Sequence, residues 1–73
     1  MRTVRDARGV MWICLEMPEV PSEHVVAAAA IGPSTVAVEC NSGAERVLAL
    51  LQPGWDDDLD DATLAGTILG MLA

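Results

Sequence analysis

From Val10 to Met17 nearly every residue is apolar, and Ala7-Arg8-Gly9 separates this run from the shorter segment Thr3 to Asp6. The second run is rich in β-formers and Gly9 supplies a turn position open to positive φ, so the pattern predicts an N-terminal β-hairpin. A strand apolar at consecutive positions is expected to be covered on both faces or to lie at the centre of a sheet. Pro18 and Pro21 end it.

The next stretch is ambiguous. Ser22 can cap a helix running from Glu23 to Ile31, Ala27 to Ala30 have the highest helix propensity, and Gly32-Pro33 is a stop signal. Helix is the first reading. Strand is the rival, since Val25 and Val26 favour it and Gly32-Pro33-Ser34-Thr35 can turn the chain. From Thr35 to Cys40, Val36 and Val38 alternate with Ala37 and Glu39; Arg46 to Leu51 is a further apolar run, and Asn41-Ser42-Gly43-Ala44 lies between them. This predicts a second hairpin. Pro53-Gly54 closes it, and the acidic run Asp56 to Asp61 is expected to open a helix from about Asp58 to Leu72, where carboxylates complement the helix dipole. The elements together predict one small α+β domain over residues 1–73: a mostly antiparallel sheet of two hairpins with the C-terminal helix on one face.

Trp12 with Glu16 four residues on, a later hairpin, then Pro53-Gly54-Trp55 and Leu59-Asp60-Asp61 with Leu64 resemble a pattern in small uncharacterised bacterial proteins. The resemblance covers the second strand and the later hairpin and helix, leaving the Ala-rich middle without a counterpart. It implies β-hairpins followed by a helix and implies no activity.

Charge narrows the function classes. Arg2, Arg5, Arg8 and Arg46 are the only basic residues besides His24, there is no Lys, and eleven carboxylates bring the net charge to −7. Phosphate backbones repel such a surface, so nucleic-acid binding is not expected. Val25 to Val38 is uncharged but interrupted by Gly32 and Pro33, and Met1-Arg2 precedes polar residues, so neither a membrane span nor a signal core is expected and residence is cytoplasmic by default. Cys14 and Cys40 do not form a disulfide framework, and in a reducing compartment they are expected to be buried thiols.

Candidate chemistry is thin. Asp56-x-Asp58-x-Asp60 has the opening spacing of a calcium loop, but the sixth position is Asp61 rather than Gly and the twelfth is Thr67 rather than Glu. Helix capping is the better account of the run. A zinc site needs Cys14, His24 and Cys40 with a carboxylate, at spacings that match no finger or ribbon. No phosphate loop and no nucleophile with its base is present, so neither catalysis nor a cofactor is expected.

The C-terminal helix carries a different signal. Ala62, Gly66 and Gly70 recur every four residues as a smooth stripe, beside a second apolar face of Leu64, Ile68, Met71 and Leu72. Mid-helix glycine costs roughly 0.5–1 kcal/mol against alanine, so a close approach by another backbone is expected there, either the chain's own sheet or a second protein. Ala62, Gly66, Gly70 and Leu72 are the predicted interface residues. The leading expectation is a protein-interaction or assembly module, a homo-oligomer or an accessory subunit. The alternative is an acidic inhibitor or nucleic-acid mimic that binds a basic site on another protein. Trp12 is expected in the core, and Trp55 is expected as a partly exposed staple at the entry to the helix.

Overall fold

Both hairpins form, and they join into one sheet. The computed structural model describes residues 1–72, in which β1 (Arg2–Arg5), β2 (Met11–Glu16), β3 (Val36–Asn41) and β4 (Arg46–Leu51) are antiparallel and ordered β1-β2-β3-β4. The β2–β3 register, with Ile13 opposite Asn41 and Glu16 opposite Val38, makes β2 an internal strand. Gly9 takes φ 83° and Gly43 φ 91°, the left-handed conformation that each hairpin turn demands and that glycine adopts without steric cost.

The helix α3 (Asp61–Leu72) crosses the inner face of this sheet and touches β1 and β4. Beneath it lie Val4, Trp12, Cys14, Val38, Cys40 and Ala49, joined by Leu64, Ala65 and Ile68 from the helix. Period-two alternation sends these strand residues inward, and the apolar stripe of α3 completes the core.

Residues 22–31 resolve as helical: a 3-10 turn, Ser22–His24, leads into α1 (Val25–Ile31). Ser22 does not cap it; its hydroxyl lies 3.4 Å from the Glu23 carboxylate, and no side chain satisfies the first amides of either segment. The helix ends where the Gly32 amide donates to the Ala28 carbonyl at 3.0 Å, ahead of Pro33. This connection lies over the β3–β4 half of the outer face, with Pro21 and His24 sharing one groove with Glu39 and Leu48, and Ile31 another with Leu50.

Two further expectations are corrected. The helix expected from Asp58 is two helices, α2 (Trp55–Asp58) and α3, separated by extended Leu59. The break follows from Asp60, whose carboxylate accepts the Thr63 amide at 2.7 Å while its carbonyl accepts Leu64 at 3.1 Å; that local bond competes with a continuous helix. Trp55 is not a half-exposed staple but is 3% exposed, a member of the core. Gly54, at φ 86°, turns the chain so that the single turn of α2 swings Trp55 inward.

Candidate interaction surface

The fold gives each indole a carboxylate. Trp12 Nε1 donates to Asp6 Oδ2 at 2.9 Å, and Trp55 Nε1 donates to Glu16 Oε1 at 2.9 Å. Asp6 is itself buried and also accepts the amides of Arg8 at 2.8 Å and Val10 at 3.0 Å, with the Arg8 guanidinium closing on Oδ2 at 3.0 Å. Burial pushes this carboxyl upward, but the bonds from Trp12, Val10 and Arg8 outweigh it and hold the pKa at about 2. Arg8 continues to Glu45 at 3.1 Å, tying the two hairpin turns together at one end of the sheet. Each lone pair in use here serves the fold, which makes Asp6 a structural anchor rather than a reactive acid.

The acidic run is also largely occupied with structure. Asp60 caps α3, and its carboxyl is held low by Thr63. Asp61 meets Arg2 at 2.7 Å, and the same guanidinium donates to the carbonyls of Trp55 at 3.2 Å and Asp56 at 3.1 Å. Asp56, Asp57 and Asp58 remain exposed on α2. Among the described residues no group of three or more His, Cys, Asp or Glu side chains is gathered closely enough to hold a metal ion. His24 sits on the outer side beside Glu39, whereas Cys14 and Cys40 lie in the core, so the sheet separates the three residues of the conceivable zinc set.

The predicted interface residues take up mixed positions. Ala62, Gly66 and Gly70 are exposed on α3, and Leu72 is half-buried against the core. A Cβ added at Gly66 or Gly70 meets nothing within 4 Å. The glycines therefore do not seat the helix on its own sheet, and that reading of the stripe is removed.

A larger apolar surface lies on the opposite side of the molecule. Alternation along β2 sends Met11, Ile13 and Leu15 outward, where they are 44%, 51% and 55% exposed. On the adjoining half of this face the connection buries Ala37 to 1% and leaves Leu48 and Leu50 half-buried. Met11, Ile13 and Leu15, with Glu39, Asn41, Ser42 and Gly43, line a shallow concavity of about 530 Å³. Arg5, Glu39 and Arg46 are the charged outward positions on the strands; Arg46 reaches Glu39 at 3.5 Å, and Arg5 Nε lies 3.2 Å from Met11 Sδ. In a chain of net charge −7 this face alone carries more cationic than anionic strand positions. The run from Val10 to Met17 predicts a strand that is covered on both faces or central. The strand is internal, but within one chain it is covered on one face only.

Compared with known proteins, the chain matches no family model, no curated protein and no solved structure.

Proposed function

We propose that this protein is an assembly module that pairs with a second copy of itself through the outer face of β2. The observation that carries this reading is the exposed ridge of Met11, Ile13 and Leu15 on an internal strand. Isolated exposed apolar side chains are ordinary, but three in register on one strand, bordering a concavity, make a contiguous patch of the kind that marks contact sites. Charge favours a like partner. The face carries both signs, Glu39 against Arg5 and Arg46, so a two-fold pairing can set the anion of each copy against a cation of the other.

The α3 stripe is the weaker surface for this role, because Ala62, Gly66 and Gly70 offer little apolar area. An acidic mimic that occupies a basic site draws support only from Asp56, Asp57 and Asp58, since Asp60 and Asp61 are engaged within the chain.

Sedimentation of the purified chain over a concentration series tests the proposal. Self-association that strengthens or holds as salt rises is expected, because added salt screens repulsion between two copies of charge −7 while leaving apolar burial in place. A chain that stays monomeric through millimolar concentration contradicts it. Loss of association with salt points instead to contacts between charged surfaces.

A further inference from the structure

Cys14 and Cys40 are direct cross-strand partners on β2 and β3, both free and both fully buried on the inner face. The ladder determines what kind of pair they are. The Met17 amide donates at 2.8 Å to the carbonyl of Ala37, the residue opposite it when the register of Glu16 and Val38 is carried one step on. That bond marks a hydrogen-bonded pair. Bonded and non-bonded pairs alternate along an antiparallel ladder, so Leu15 and Glu39 are bonded and Cys14 and Cys40 are not. At a non-bonded site opposed Cα atoms are about 4.5 Å apart with their side chains drawn close, which falls inside the span of roughly 4.4–6.8 Å that a disulfide bridges. A bonded site would have set the side chains further apart.

We infer that Cys14 and Cys40 are a redox modification site, a dithiol that a small-molecule disulfide of the glutathione class oxidises to an intrachain bond within the native fold. The Cys14 thiolate attacks one sulfur of the small disulfide and forms a mixed disulfide; the expelled thiolate takes up the proton Cys14 has lost. The Cys40 thiolate then attacks the Cys14 sulfur, forms the Cys14–Cys40 bond and expels the second small thiolate, which takes up the Cys40 proton. Two protein thiols are oxidised by two electrons, and one small disulfide becomes two thiols.

The order of attack follows from the surroundings. Burial raises the pKa of both thiols, but Arg2 stands opposite Cys14 across the β1–β2 ladder and its charge favours the thiolate there, whereas the charge of neighbouring Glu39 disfavours it at Cys40. Cys14 is therefore the first nucleophile and Cys40 the resolving group. Neither is accessible in the closed fold, so oxidation proceeds only through the openings that expose the inner face of the sheet. Once formed, the bond is shielded from reductants by the same burial. Its consequence reaches the outer face, because Cys14 lies between Ile13 and Leu15: fixing β2 to β3 here fixes the register that sends those two residues outward. The inference depends on the sheet register and not on what the outer face contacts.

The test is to incubate the reduced chain under native conditions with excess oxidised glutathione and to measure intact mass, free thiols and peptide linkage. The expected product is a monomer lighter by two hydrogen atoms, with Cys14 linked to Cys40 and a melting midpoint raised by about 10 °C through the closed loop. The C40A variant should stop at glutathione carried on Cys14; if that variant does not fold, the wild-type mass and linkage decide alone. Thiols that stay free while a urea-unfolded control oxidises, a wild-type chain that stops at the mixed disulfide, a bond between chains, or a lowered midpoint each overturns the inference.

Discussion

The two faces of the sheet are built from the same strands and end in different environments. On the inner face Val4, Trp12, Cys14, Val38, Cys40 and Ala49 are each no more than 1% exposed, because α3 lies across them. On the outer face the connection between β2 and β3 covers only the β3–β4 half and leaves Met11, Ile13 and Leu15 about half exposed. β2 supplies both environments from alternate positions of one apolar run. A short chain can make only so many covering layers, and this one places a full helix on one face and a partial strap on the other. The comparison teaches that continuous apolarity in a strand marks a central place in the sheet and does not by itself mean that both faces are covered.

The sharpest way to break the inner face is Trp12→Ala. This side chain is the largest of the fully buried group and its indole holds the Asp6 anchor, so its loss should cost about 3–5 kcal/mol and could leave the domain unfolded at room temperature. A chemical melt with an unchanged midpoint would contradict its place in the core.

The matching change on the outer face is the double variant Ile13→Thr with Leu15→Thr. Threonine is β-branched, as strands favour: it keeps that shape at position 13 and introduces it at position 15, so stability should change by no more than about 0.5 kcal/mol. Association should fall by about a hundredfold or more, since each lost contact counts twice across a two-fold interface. Sedimentation beside a thermal melt separates the two effects. Unaltered association would move the contact away from β2 and leave the α3 stripe as the surface to test.

Much of this architecture is legible in the residues, and the part that is not has a physical reason. The hairpins show because alternation and turn glycines are local signals, and Gly9 and Gly43 do take the positive φ their turns need. The burial of Trp55 does not show, because its partner Glu16 is 39 positions away and nothing beside Pro53-Gly54 announces that contact. The break at Leu59 is hidden for a different reason. An aspartate run reads as one helix start, and only the Asp60 carboxylate bonding the Thr63 amide reveals where the second helix begins. The candidate surface is only half legible: the apolar run from Val10 to Met17 predicts a central or doubly covered strand, and only the extent of the β2–β3 connection leaves Ile13 and Leu15 uncovered. The spacing of Ala62, Gly66 and Gly70 was equally plain, whereas the open space beyond those glycines was not.

Acid should act on the inner face through Asp6. Its folded pKa of about 2 lies below the ordinary 3.8, so the ionised form is the one the fold favours. The contribution is fully present above pH 3.8, declines as pH falls from there, and is gone once pH passes below about 2. Asp6→Asn should flatten that part of the stability profile and also lower stability at neutral pH, because an amide cannot accept the Trp12 indole, two backbone amides and Arg8 together. Urea melts of both proteins from pH 2 to pH 6 measure the difference, and parallel profiles would show that other carboxyls control acid unfolding.

The smallest expected effect concerns the exposed side of α3. A methyl group at Gly66 or Gly70 enters open space, and both residues lie in regular helix with no positive φ, so nothing in the chain opposes alanine there. Each Gly→Ala change should therefore stabilise the monomer by about 0.5–1 kcal/mol, the helix-propensity difference. That gain should appear as a raised melting midpoint with association through β2 unaffected. If the bulkier Gly66→Leu with Gly70→Leu instead dissociates the assembly while each subunit stays folded, a second backbone lies against the stripe. The contact would then run through α3, and the open half of the β2 face would be left without its proposed cover.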